Sequence, residues 1–200
     1  MNNKFIPTVC GVGYLGEGAY KSTIKHKKTS QYETWTKMLK RCYTENMLKV
    51  YPTYKDCKVY YGWLNFQNFA KWYDENYYQI ECERMELDKD ILIKGNKIYS
   101  PEACIFVNRE INSLFVRQKK IRGNLPIGVH FNKIKNKYVA QCSYKSKTYF
   151  LGNFNNQIEA FKKYKEFKEN LIKDIAYALK KQIPKRLFDA LLKYRVSIAD

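Results

Sequence analysis

Residues 128–152 fall into three short runs of alternating character, and no other stretch restricts the possible fold as much. The runs are Gly128-Val129-His130-Phe131-Asn132, Lys137-Tyr138-Val139-Ala140-Gln141-Cys142-Ser143 and Thr148-Tyr149-Phe150-Leu151-Gly152. A period of two marks a strand with one covered face and one open face. Lys135-Asn136 and Lys145-Ser146 separate the runs as tight turns, which predicts a three-stranded antiparallel sheet. A long helix is expected next, with Asn155 or Asn156 as its N-cap. Ile158, Phe161, Tyr164, Phe167, Leu171 and Ile175 then recur every three or four residues. That apolar stripe must lie on one sheet face, and Val129, Phe131, Tyr138, Ala140, Cys142, Tyr149 and Leu151 are in phase to meet it. The opposite face then carries His130, Asn132, Val139, Gln141, Ser143, Thr148 and Phe150. Lys133, Lys135, Lys137, Lys145 and Lys147 stand around it.

Charge gives this open face a direction. The chain of 200 residues has 37 basic and 19 acidic residues, a net +18. Residues 1–115 hold 17 bases and 13 acids, whereas residues 116–183 hold 16 bases and 4 acids. A field of that sign attracts polyanions. The shift falls at Arg117, Lys119, Lys120 and Arg122, followed by the turn formers Gly123, Asn124 and Pro126. Residues 117–126 therefore read as a basic linker whose side chains add to a nucleic-acid surface. Membrane association is not expected, because no apolar run approaches the roughly 18 residues that span a bilayer. The opening residues lack the apolar core of a secretory signal. Six scattered cysteines with no C-x-x-C pair and only two histidines argue against a zinc site. They suit reduced, mostly buried thiols in a cytoplasmic protein.

The first part of the chain is more ambiguous. Gly11, Gly13, Gly16 and Gly18 read as turns, since no Gly-Lys-Ser/Thr ending follows them. A helix is expected over residues 30–45, with Ser30 as N-cap and Tyr32, Trp35, Leu39 and Cys42 on one stripe. Lys58 to Tyr61 suggest a short strand. A second helix is expected from about Trp63, with Phe66, Phe69, Ala70 and Tyr73 inward. Leu87 to Leu92, the Gly95-Asn96 turn and Ile98-Tyr99 predict a hairpin. Ser100-Pro101-Glu102 turns the chain, and a helix then starts at Asn108.

These residues carry two resemblances. Gly-Val-His, Lys-Tyr-Val-Ala-Gln, Tyr-Phe-Leu-Gly-Asn-Phe and Glu-Ala-Phe-Lys-Lys-Tyr, in that order, resemble the AP-two (Apetala-two, ERF-type) DNA-binding domain over roughly residues 123–176. The resemblance implies DNA contact by the sheet face. That family often has arginines and a tryptophan at the positions of His130, Asn132, Ser143 and Phe150. The motifs Trp35-x-x-Met38-Leu39-x-Arg41-Cys42-Tyr43, Trp63-x-x-Phe66-x-x-Phe69, Leu87-Asp88-Lys89-Asp90 and Tyr99-Ser100-Pro101-Glu102 through Ile111-Asn112 resemble phage HNH-type (His-Me finger) homing endonucleases carrying the same C-terminal domain.

The expected fold class is therefore α+β: N-terminal helices with a ββα (His-Me-finger-like) unit, then a three-stranded antiparallel sheet packed on one long helix. The expected division is a nuclease-like unit at 1–116, the linker at 117–126, the nucleic-acid-binding domain at 127–183 and an amphipathic helix at 184–200. Nuclease chemistry needs a base to activate water and a hard cation such as Mg²⁺ on the scissile phosphate. The resemblance implies Asp88, Asp90 and Asn112 for that centre, with Asp90 and Asn112 as oxygen ligands. The usual histidine base is missing, because residues 83–115 contain none.

Three functions stand as expectations. The chain is a nucleic-acid-binding protein of homing-endonuclease type whose catalysis has decayed, or an active metal-dependent DNA endonuclease. Alternatively, it is a regulatory or counter-defence protein that binds RNA or a host ribonucleoprotein. A Lys- and Tyr-rich, Arg-poor surface suits phosphate contact and stacking, which keeps RNA beside DNA as a partner. A purely structural role has no specific feature in its favour.

Overall fold

The computed structural model describes residues 6–115, 123–198 and 200. The chain forms an α+β structure in two compact units. One comprises Met1–Gln79 and Leu87–Phe106, the other Ile80–Glu86 and Val107–Asp200. Among the described residues, no helix is long and apolar enough to cross a membrane. All six cysteines are free thiols, and Cys42, Cys57, Cys104 and Cys142 are buried.

The first unit is organised by two helices, α1 (Ser30–Tyr43) and α3 (Phe66–Asn76), with a short α2 (Glu45–Val50) between them. The N-cap of α1 is Thr29, one residue before the expected Ser30; its hydroxyl accepts from the Tyr32 N–H at 3.3 Å. The N-cap of α3 is Asn65, and Trp63 lies in the preceding tight turn. The inward stripes meet in an aromatic core, where Trp35 packs on Phe66 and its indole N–H donates to the Trp63 carbonyl at 2.6 Å. The glycine-rich opening lies against these helices. A Cβ on Gly13 would come within 2.5 Å of Leu39 Cδ1, so only glycine allows this approach. The Gln67 amide then holds the following loop, donating to the carbonyls of Leu15 and Tyr20.

The β structure here is fragmentary. A hairpin of β1 (Thr23–Ile24) and β2 (Lys27–Lys28) precedes α1. β3 (Lys58–Val59) pairs in parallel with β5 (Ile98–Tyr99), while β4 (Met85–Asp88) pairs with β6 (Ile105–Asn108). The hairpin expected from Leu87–Leu92 and Ile98–Tyr99 is therefore not formed. Residues after Asp88 turn instead of extending. The Asp88 carboxylate accepts from the Asp90 and Ile91 N–H groups, both at 2.8 Å, and the Asn96 amide donates to the carbonyls of Lys89 and Ile98. The backbone of β5 is satisfied by the 58–60 segment, with the Tyr60 N–H donating to the Tyr99 carbonyl at 2.8 Å.

The second unit contains α4 (Arg109–Ser113), which starts one residue after the expected Asn108 with that residue as its N-cap, and the three-stranded antiparallel sheet β7 (Val129–Asn132), β8 (Lys137–Tyr144) and β9 (Lys147–Phe154). The long helix α5 (Gln157–Ala178) follows, with the Asn156 side chain accepting from the Ile158 and Glu159 N–H groups. Val129, Ala140 and Cys142 from the sheet and Ala160, Phe161 and Tyr164 from α5 form the core between them, with Tyr138, Leu151, Phe167 and Leu171 around it. Two expected inward residues differ. Ile158 is exposed in the first helical turn. Phe131 is 40% exposed because it lies next to the β7–β8 turn, and its ring packs on Tyr138. After Pro184, α6 (Lys185–Lys193) folds back on α5 through the buried Leu187 and Leu191. The Val196 backbone then bonds to the side chains of Lys165 and Glu169.

Candidate nucleic-acid interface

The open face of the sheet is set by two turns and one irregularity. Lys145 and Ser146 both have positive φ, 49° and 59°, which gives the two-residue turn whose twist matches the flanking strands. At the other end, the Asn132 side chain accepts from the Lys135 N–H at 3.0 Å, and Asn136 takes the left-handed conformation. In β9 one extra residue, Leu151, stands between the pairs Ala140–Gly152 and Gln141–Phe150. Gly152, at φ 134°, absorbs this bulge.

The register then arranges the outward side chains in rows. His130, Val139 and Asn153 share one row, Gln141 stands opposite Phe150, and Ser143 stands opposite Thr148. The last pair joins hydroxyls at 3.1 Å. Asn132 pairs with Lys137, whose ammonium donates to the Asn155 amide oxygen. His130, Gln141, Ser143, Thr148 and Asn153 are all exposed, and Phe150 is 63% exposed. Val139 was expected to be open but is 4% exposed. It is the short central residue of its row, between the larger His130 and Asn153.

The lysines mark the two ends of the face. Lys133 and Lys135 flank the β7–β8 turn, and Ile134 between them is 96% exposed. At the β8–β9 turn, Lys147 lies 5.1 Å from the Tyr149 ring centroid, and Lys145 is 3.1 Å from Glu110 of α4. Glu110 also accepts from the Tyr144 hydroxyl. Burial and this carboxylate hold Tyr144 protonated well above the usual range of a phenol. Arg117, Lys119, Lys120 and Arg122 lie outside the described residues.

Sequence reasoning missed Asn153, Asn155 and Ile134. The bulge hides the first two, because it shifts the alternation and β9 runs to Phe154. Ile134 had a signal, an apolar residue between lysines in a turn. A cavity of about 420 Å³ in the same unit was also missed. Glu81, Glu83, Glu110 and Asp174, with one cation, Lys145, line it, over Ile80, Ile175, Ala178 and Leu179. Its four carboxylates outnumber that one ammonium, so it does not favour phosphate.

The expected catalytic residues have local partners. Burial, with Asp90 adding to it, pushes the Asp88 carboxyl up to about 6, although it caps the turn described above. Asp90 faces the Lys89 ammonium at 3.6 Å. In the second unit, the Asn112 amide donates to Glu86 Oε2 at 2.6 Å. Among the described residues, no three His, Cys, Asp or Glu side chains gather closely enough to hold a metal ion. The Asp88 carboxylate takes both backbone N–H bonds on one oxygen, and Asp90 lies beside an ammonium. No family model, curated protein or solved structure matches the chain.

Proposed function

We propose that this protein binds nucleic acid through the open face of β7, β8 and β9 and does not cleave it. The observation that carries the reading is a sheet face of exposed amides, hydroxyls, an imidazole and one aromatic ring, bordered by lysines at both turns. Lysines at strand turns neutralise phosphates, and the uncharged groups between them contact bases or sugars. A protein partner would be expected to cover a more apolar centre with fewer like charges around it. Cleavage is left out because Asp88 and Asp90 are engaged in the turn that follows β4.

The test is binding of the full chain to labelled single-stranded and duplex DNA and RNA at low salt, each with and without Mg²⁺ or Mn²⁺. Binding that weakens in Lys133→Glu/Lys135→Glu while the oligonucleotide stays intact is the expected result. Absence of binding to all four ligands would overturn the proposal. Metal-dependent cutting abolished by Asp90→Ala would establish the endonuclease in its place.

A further inference from the structure

We infer that the open face holds an unpaired segment of nucleic acid, with Phe150 as the platform on which one base stacks; this rests on the function proposed above and specifies its ligand. Phe150 is 63% exposed, halfway along the edge strand β9 and directly opposite Gln141 of the central strand. An aromatic ring left in water on an open sheet face gains from a flat apolar partner. Duplex DNA and RNA hide the faces of their bases inside the stack and present only edges, sugars and phosphates. An unpaired base presents a whole π-face, and stacking it on an aromatic side chain contributes about 1–3 kcal/mol.

The neighbours of Phe150 suit the same ligand. Cross-strand pairs stand about 5 Å apart and successive outward residues on a strand about 7 Å apart. A base on the Phe150 ring thus has Gln141 beside it, Ser143 and Thr148 on one side, and His130 and Asn153 on the other. All of these both donate and accept hydrogen bonds, so they meet base edges without demanding one base. Lys133 and Lys135 in the β7–β8 turn, with Lys137 at the start of β8, stand where the sugar-phosphate chain meets one end of the face. β8 has 8 residues, a length of about 27 Å at ~3.4 Å per residue, which suits a short single-stranded site.

The experiment compares Phe150→Ala and Phe150→Trp with the native protein on a single strand and on the duplex of the same sequence, as DNA and as RNA. Phe150→Ala should weaken single-strand binding by about 5- to 150-fold and duplex binding less than about 2-fold. Phe150→Trp should restore affinity, and its added emission should be quenched by the single strand. Trp35, Trp63 and Trp72 are buried, so the native protein should show little quenching. Unfolding midpoints equal to the native value confirm that both variants are folded. Tighter duplex binding with Phe150→Ala indifferent would overturn this inference and leave the proposed function standing. No binding to any strand would remove both.

Discussion

Replacing Glu110 with glutamine should strengthen nucleic-acid binding and make it more sensitive to salt. Lys145 faces Glu110 at 3.1 Å, and Lys137 donates to a neutral amide. Lys133 and Lys135 have no ion pair with any described residue, while Lys147 lies on the helix side of the sheet over the Tyr149 ring. A lysine already matched by a carboxylate gains little from a phosphate. Each phosphate neutralised on a single strand contributes about −0.7 to the slope of log K against log salt, and about −0.9 on a duplex. Three unmatched lysines on the open face, Lys133, Lys135 and Lys137, therefore give a slope of about −2.1 on a single strand, a loss of roughly 20-fold between 50 and 200 mM salt. Glutamine keeps an acceptor for the Tyr144 hydroxyl while removing the charge, so Glu110→Gln should steepen the slope by up to about 0.7. Lys133→Gln/Lys135→Gln should flatten it by about 1.4. Bases elsewhere in the chain add the same amount to every variant, so the differences are the quantity to measure. The assay is fluorescence anisotropy of a short labelled oligonucleotide across a salt series. A slope unchanged or flatter in Glu110→Gln, or unchanged in the double lysine variant, would refute the reasoning.

Three further outcomes concern the fold. The Asp88 carboxyl is raised to about 6 against an ordinary value of 3.8, so between those values the folded state holds the proton and the unfolded state does not. Stability therefore falls as pH rises through that window. Asp88→Asn should gain at most about 3 kcal/mol above pH 6 and nothing below pH 4 in urea titrations. A loss at both pH values would show that the charged cap outweighs the burial cost. Lys168 is 6% exposed and burial lowers its pKa, so the cost of its charge is full below that lowered value and fades toward the ordinary lysine range. Lys168→Met should raise the unfolding free energy by on the order of 1 kcal/mol at neutral pH, with a gain that shrinks in alkaline buffer; a gain independent of pH would contradict this. Gly128 sits at φ 76°, where an added Cβ would stand 2.0 Å from the Tyr164 ring. Gly128→Ala should destabilise by about 3 kcal/mol, from left-handed strain and overpacking together, and a cost below 1 kcal/mol would show that the ring simply moves aside.

How far each element could be read from the sequence depends on the range over which it is determined. β7, β8, β9 and α5 were legible because their signals are local: a period of two, two turns with polar residues, and a stripe beginning after the Asn156 cap. The error in that region came from a single residue. Leu151 is apolar and in phase, so nothing in the alternation reveals that it is the extra residue of a bulge, and Asn153 and Asn155 were lost with it. The first unit was misread over longer distances. Ile98-Tyr99 carries the same hairpin signal whether its partner is ten residues away or, as here, Lys58-Val59 about forty residues earlier. The choice between them is made by the side chains of Asp88 and Asn96, which fold the intervening residues into a closed turn. The acidic cavity draws on segments near residues 81, 110 and 174, and no period connects them. Glu110 carries the functional consequence. Its sequence neighbours mark it as an ordinary first-turn carboxylate, favourable beside a helix N-terminus. Only the three-dimensional placement sets it against Tyr144 and Lys145, where it removes one cation from the lysine border. The face and most of its border were therefore readable from the chain alone, but its effective charge was not. That charge depends on a residue that local pattern assigns to a different element.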